Sequence, residues 1–266
     1  MPLNMIVCCK QVSDPEAPPA SFKVVNDKMT VPPDVKPVIS PYDENAIEAA
    51  LRVREAVGGK ITAISLGNNL TRDVIKKPLS VGADELVLLE DPAFEGGDSW
   101  ATASALAAAI KKVGAFDLIF CGRQSADWNA GQVGLGLAEI LGIPAVSVVR
   151  KVEVSGNKAK VERAARDGYE VVEVELPALL TITSEFGDLR YAALKGIMAA
   201  AKKQPTVWKP ADIGLEPSQV GAAARRARLA KLFQPVKETK CEIVGGDTPA
   251  EAGANLAVRL REAKIL

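Results

Sequence analysis

An apolar run, Leu118-Ile-Phe-Cys121, passes straight into Gly122-Arg-Gln-Ser-Ala-Asp-Trp-Asn-Ala-Gly131, and Gln132-Val133 opens a helix-like stretch behind it. Small residues and single polar side chains at a strand-to-helix junction suit ligand binding better than proton chemistry. Gly122 and Gly131 allow close backbone approach, the N–H groups of a helix start favour a phosphate, and Asp127 and Asn129 can bond a ribose or an adenine edge. Trp128 can stack on an adenine or plug the loop against the core. The loop is neither a Gly-Lys-Ser/Thr phosphate loop nor a G-x-G-x-x-G fingerprint. The same glycines serve equally for a turn that holds no ligand.

Other chemistry is scarce. The chain has no histidine, which removes Ser-His and Cys-His nucleophiles, His-ligated metals and the usual neutral-pH base. Cys8, Cys9, Cys121 and Cys241 lack metal-ligand spacing; Cys8 and Cys9 are adjacent in a strand and point to opposite faces. Buried reduced thiols are the expectation. Glu170, Glu173 and Glu175 read as a solvated strand face, and Arg225-Arg226-Ala-Arg228 as a solvated or partner-facing patch. Basic and acidic residues balance at 33 each, so no global field draws the chain to nucleic acid or anionic lipid. No run reaches membrane-span length. A cytoplasmic protein that neither binds nucleic acid nor inserts in a membrane is expected.

The elements that must position the loop follow from periodicity. Met5–Val12 reads as a buried strand, and Phe22–Val25 with Lys28–Val31 as a hairpin across Asn26-Asp27. Ser40-Pro41-Tyr42-Asp43 opens a helix, with Ser40 as N-cap, Pro41 in the first position and Asp43 returning to the cap N–H; Gly58-Gly59 stops it. Strand Lys60–Leu66, helix Thr71–Val81 kinked at Pro78, strand Glu85–Leu89, helix Ser99–Val113 capped by Asp98, strand Phe116–Cys121 and helix Gln132–Leu141 follow. This alternation predicts an α/β fold, a parallel sheet with helices on both faces. Beyond Pro144, strands Val146–Val154, Lys158–Ala164, Tyr169–Leu176 and Ala178–Thr183 predict an antiparallel extension of that sheet. Residues 1–199 form the resulting domain.

From about Ala200 the chain turns polar and Pro-interrupted, and Lys202–Gly246 shows no core element. Thr248-Pro-Ala-Glu251 is a capping box that opens an amphipathic helix to about Lys264. Residues 200–266 therefore read as an arm laid over a partner, with a mobile tail as the alternative. In the sheet, the strand ends Cys8-Cys9-Lys10, Leu66-Gly67 and Gly122–Gly131 converge, and Ser40–Asp43 closes over them. Ligands of open α/β sheets sit in such crevices.

Ordered along the chain are Val7-Cys-Cys-Lys-Gln-Val12, Ser40-Pro41-Tyr42, Val81-Gly-Ala-Asp84, Gly122-Arg-Gln, Gly131-Gln-Val-Gly134, Val161-Glu-Arg163, Asp167-Gly168, Glu170, Leu176-Pro-Ala-Leu-Leu-Thr181 and Arg190-Tyr191-Ala-Ala-Leu194-Lys-Gly-Ile-Met198. Together they resemble the beta subunit of electron-transfer flavoprotein over essentially the full length. The resemblance implies an adenine-nucleotide alpha-hydrolase-like sheet and a heterodimer whose alpha subunit carries the redox-active FAD. It implies AMP in this subunit or, as in bifurcating members, a second FAD. The implied lining is Cys8, Cys9, Ser40, Pro41, Tyr42 and Asp43, then Leu66 and Gly67. The loop adds Gly122, Arg123, Gln124, Ser125, Asp127, Trp128, Asn129, Ala130, Gly131, Gln132 and Val133. Ser125–Ala130 has the shorter length typical of bifurcating members, although Trp128 and Asn129 replace their usual Gly-Asp and Arg166 stands where the family signature is usually acidic.

Arg190–Met198 resembles the loop that docks acyl-CoA dehydrogenases, with Leu194 as the apolar anchor beside Ile197 and Met198; a helix residue packed on its own core is the alternative for Leu194. The implied role is electron relay between an acyl-CoA or related dehydrogenase and a downstream acceptor such as a quinone oxidoreductase, NAD or ferredoxin, with no catalytic residue in this chain. A stand-alone adenine-nucleotide hydrolase or binding module is the rival reading; hydrolysis would need a base and phosphate clamps in the loop, where Arg123 is the one cation.

Overall fold

The computed structural model describes residues 2–235 and 241–266. The first strand, β1 (Leu3–Cys8), is shorter than the expected Met5–Val12. The chain leaves the sheet at Cys9-Lys10, because the Lys10 N–H is taken by the Asp43 carboxylate at 2.8 Å. It continues as β2 (Gln11–Ser13), which pairs antiparallel with β5 (Pro37–Ile39). Between them lies the expected hairpin of β3 (Lys23–Val25) and β4 (Lys28–Thr30). Asn26 and Asp27 turn it with φ of 52° and 56°, the left-handed pair that a tight two-residue hairpin turn requires.

Helix α1 (Pro41–Val57) returns the chain to β6 (Gly59–Gly67). The expected single helix over Thr71–Val81 is two, α2 (Arg72–Ile75) and α3 (Lys77–Val81). The break falls at Lys76, and Pro78 lies in the first turn of α3, where its missing N–H leaves no bond unmade. Next come β7 (Glu85–Glu90), α4 (Ser99–Val113), β8 (Leu118–Gly122) and α5 (Val133–Leu141). Asp98 caps α4 as expected, accepting from Ala101 N at 2.9 Å.

The four strands expected of an antiparallel extension are β9 (Ala145–Ser155), β10 (Lys158–Ala165), β11 (Gly168–Glu175) and β12 (Ala178–Ile182); β9 and β12 instead run parallel within the main sheet, β12 beside β8, and β10 and β11 alone form the antiparallel part. The nine-stranded sheet has the order β11-β10-β9-β12-β8-β1-β6-β7-β13. It is parallel from β9 to β13, and β10 and β11 are antiparallel at one edge. Alternation along β1 builds a core on each side. Met5 and Val7 pack with Ile47, Leu51 and Phe120 under α1, while Ile6 meets Leu106, Ile110 and Leu137 under α4 and α5.

Residues after 200 depart from the irregular segment that the sequence predicts. Helix α6 (Leu194–Lys202) leads into β13 (Thr206–Trp208), which pairs with β7 as the ninth strand, and Ile213 and Val220 are buried. Three strand residues are too few to register as a period. After α7 (Gly221–Ala224) the described chain is mostly exposed up to α8 (Pro249–Glu262), which buries none of its residues. Part of the expected irregular segment, 236–240, lies outside the described residues.

Candidate nucleotide-binding crevice

Strand order creates the crevice. From β1 the chain builds outward through β6 to β7, and α4 then carries it back to β8 on the other side of β1. The loops leaving β1 and β8 therefore part in opposite directions at their carboxyl ends, the place where open α/β sheets bind ligands. Cys8-Cys9-Lys10 and Gly122–Gly131 form its two lips, as the sequence predicts, and the first turn of α1 closes it.

Asp43 ties the lips together. Its carboxylate accepts from Lys10 N at 2.8 Å and from Gly122 N at 3.1 Å, so it does not return to the cap N–H of its own helix. Ser40 is fully buried, and its Oγ accepts from Ala126 N at 3.3 Å rather than capping α1. Both polar side chains of the expected capping box have been diverted to the loop. Helix α1 therefore starts at the crevice without a side-chain cap, and α5 does too, because its N-cap Gln132 makes no side-chain bond; first-turn N–H groups, chiefly those of α5, are left to other acceptors. Burial pushes the Asp43 carboxyl up to about 7, against the pull of the Lys10 and Gly122 N–H bonds. A Cβ on Gly122 would stand 2.5 Å from Asp43 Oδ1 and 2.7 Å from the Tyr42 carbonyl carbon; glycine is required there.

The loop is braced by the residues expected to touch a ligand. Asp127 Oδ2 pairs with Lys10 Nζ at 2.7 Å and its Oδ1 accepts from Trp128 N; Asn129 Oδ1 accepts from Gln124 Nε2 at 2.8 Å. Asn129 holds φ at 52°, a conformation asparagine tolerates better than most residues. Trp128 is 60% exposed, so it does not plug the loop against the core. The Arg123 guanidinium lies over the Tyr42 ring at 4.9 Å, and its Nε is buried without a partner among the described residues. Ser65 Oγ, one residue before Leu66 in β6, is likewise buried and unpartnered among the described residues.

Cys8 and Cys9 are buried at the end of β1, and Leu66 and Gly67 are half-buried at the end of β6. Burial, foremost, holds the Cys9 thiol well above its ordinary pKa; for Cys121 a hydrogen bond with Cys8 comes first and burial second. Both remain thiols. Gln124, Ser125, Gly131 and Val133 are half-buried, Pro41, Ala130 and Gln132 exposed. Among the described residues no group of His, Cys, Asp or Glu could hold a metal ion.

Residues 31–213 match the electron transfer flavoprotein domain. The chain is 40% identical to the electron transfer flavoprotein subunit beta of Thermoanaerobacterium thermosaccharolyticum, across 99% of this chain and 100% of that protein. It is 37% identical, over the same shares, to the caffeyl-CoA reductase-Etf complex subunit CarD of Acetobacterium woodii. Identity to the protein FixA of Azorhizobium caulinodans is 34%, over 96% and 93% of the two chains. The chain belongs to the electron transfer flavoprotein beta-subunit family. Its role is in electron transfer, and beta subunits of this family pair with an alpha subunit.

A second surface of this beta subunit is formed by α6 and the segment before it. Leu194 is 73% exposed, so it is not packed on its own core; Ile197, Met198 and Tyr191 are exposed beside it. Helix α6 can present them because Gly196 abuts α3: a Cβ there would stand 2.2 Å from Ser80 O. Helix α8 leaves Leu256 and Val258 exposed. No helix among the described residues is long and apolar enough to cross a membrane. Sequence reading missed the bracing roles of Lys10 and Ala126; a lysine just past a strand end, facing an aspartate-bearing loop, was the available signal for the first. It also missed Glu48, 3% exposed on α1, which accepts from Arg190.

Proposed function

We propose that the crevice of this beta subunit holds an adenine nucleotide, AMP or the AMP portion of an FAD, within a heterodimer that relays electrons between an acyl-CoA or related dehydrogenase and a downstream acceptor. The observation that carries this reading is Asp43. It spends both carboxylate oxygens on the two lips instead of capping α1, and the start of α5, whose N-cap Gln132 makes no side-chain bond, lies at the same strand-order switch. Those starts suit phosphate oxygens. The residues fit such a group: among the described residues the Arg123 Nε–H has no acceptor, and Gly122 keeps a side chain out of the floor.

A bound flavin supplies the electron chemistry. The chain would bind and orient it: Lys10 and Asp127 hold the loop closed, the Arg123–Tyr42 stack forms one wall, and exposed Trp128 offers an aromatic face to a base. Docking of the dehydrogenase is assigned to Leu194, Ile197 and Met198, an exposed apolar cluster of the kind that anchors interfaces. Contact with the alpha subunit is assigned to the part of the expected 200–266 arm that lies beyond α7, since β13, Ile213 and Val220 belong to the domain, and the assignment is supported by the unburied apolar side chains of α8. Chromatography of nucleotides released from purified heterodimer tests the reading. Two FAD per heterodimer favours bifurcation, and one FAD with one AMP favours simple relay. A heterodimer whose beta subunit releases no nucleotide would refute the crevice assignment.

A further inference from the structure

We infer that Glu48, Glu55 and Arg190 form a clamp that fixes the segment leading into α6, so that Arg190 is a positioning residue for the redox partner. The inference rests on the reading of α6 as the docking face.

Between Gly187 and Leu194 the chain has no regular structure. Among the described residues, the hydrogen bonds that fasten residues 188–192 to the body all come from Arg190. Its main-chain N and Nε donate to Glu48 Oε2 at 3.2 and 2.9 Å, and Nη2 donates to Glu48 Oε1 at 3.0 Å. The same guanidinium reaches Glu55, through Nη1 to Oε1 and through Nη2 to Oε2 at 3.1 Å. Arg190 thus bridges two carboxylates about two helical turns apart on α1, with the fork geometry that a lysine cannot reproduce.

The clamp belongs to a stripe along α1. Asn45 Nδ2 donates to Gly187 O at 2.7 Å, and Arg52 donates to Glu48 and reaches Phe186 O. Residues 45, 48, 52 and 55 share one helix face by their spacing, and together they lace residues 186–190 onto it. Burial alone would push the Glu48 carboxyl up, yet the bonds from Arg190 and Arg52 outweigh it and hold the group below its usual range; the Arg190 bond likewise lowers Glu55.

At the other end, the contact of Gly196 with Ser80 O fixes α6 on α3. The exposed side chains of Tyr191, Leu194, Ile197 and Met198 therefore lie on a span fastened at both ends. A flat apolar anchor binds best when it is ordered in advance, because ordering on contact reduces affinity. Glu48 also follows Asp43 by five residues on the same rigid helix, so the crevice and the docking span have a common support.

The test uses heterodimer carrying its alpha subunit, with a medium-chain acyl-CoA dehydrogenase and its acyl-CoA as electron donor. The concentration of heterodimer is varied to separate KM from kcat. Arg190→Ala is expected to raise the KM for heterodimer by about tenfold while kcat and released nucleotide stay at wild-type values, and Arg190→Lys to fall between the two. Glu55→Gln, which leaves the buried Glu48 pair in place, gives a smaller rise and serves if the alanine variant does not fold. Unchanged KM in the arginine and glutamate variants, with a raised KM in Leu194→Ala, overturns the clamp and leaves the docking face standing. Unchanged KM in Leu194→Ala as well, or no transfer to wild-type heterodimer, removes the docking face and the clamp with it.

Discussion

The Asp43 carboxylate accepts the main-chain N–H of Gly122 at 3.1 Å across 79 positions of sequence. This bond joins the first turn of α1 to the end of β8, and with the Lys10 bond it sets the width of the crevice. Helix, strand end and loop are one unit there, and a change in any of them should reach nucleotide binding.

Gly122→Ala tests that unit directly. The added methyl would stand 2.5 Å from Asp43 Oδ1, well inside van der Waals contact, so α1 or the loop must shift. The expected outcome is at least a tenfold loss of nucleotide retained per heterodimer, read by chromatography, with far-UV circular dichroism unchanged because the sheet itself is not altered. Full nucleotide content in this variant would show that the crevice is not the binding site.

Asp43 also gives the chain a pH signature. Its folded pKa of about 7 lies above the roughly 3.9 of an unfolded aspartate. Between those values the folded state binds the extra proton, so the contribution of this group to stability falls as pH rises from about 4 to about 7. Glu48, Glu55 and Asp98 are shifted the opposite way; they lose their contribution only as pH falls below the ordinary carboxylate range. Urea midpoints at pH 5.5 and 8 should therefore show wild-type protein weaker at pH 8. Asp43→Asn should flatten that slope, at the expense of one lip bond, since an amide offers a single acceptor. Parallel slopes for the two proteins would contradict the assignment.

Asp98 connects the domain to the chain beyond it. One carboxylate oxygen caps α4 at Ala101 N; the other accepts from Arg226 N and Ala227 N at 2.7 Å each, and the Arg226 guanidinium lies 3.4 Å from the Trp100 ring centre. Asp98→Ala removes both functions. A loss of about 1–2 kcal/mol in denaturant unfolding is expected from the cap, together with faster tryptic cleavage at Arg225–Arg228. A loss in stability without faster cleavage would confine Asp98 to the cap.

How much of this was legible in the sequence depended on how far apart the partners lie. Helix α4 was readable to the residue because its signal, Asp98 before an Ala-rich apolar face, is local. The crevice was readable because alternating strands and helices place their loops at one sheet edge. Ser40 and Asp43 were misassigned for the converse reason: Ser-x-x-Asp is a local capping pattern, and nothing nearby reveals that the acceptors serve Ala126, Lys10 and Gly122. Arg190 meets Glu48 across 142 positions, and β13 is three residues long. Neither leaves a periodic trace.

Leu194 separates the docking surface from the crevice. The side chain is 73% exposed, so truncating it opens no cavity in this chain, and a change in stability within about 0.5 kcal/mol is expected. If it anchors a partner, Leu194→Ala forfeits burial on the order of 1.5–3 kcal/mol in the complex. Electron transfer from a reduced acyl-CoA dehydrogenase should then slow by at least tenfold at subsaturating protein, while released nucleotide and flavin absorbance match the wild type. Stopped-flow flavin reduction at several heterodimer concentrations makes the measurement, and transfer at the wild-type rate would take Leu194 out of the interface.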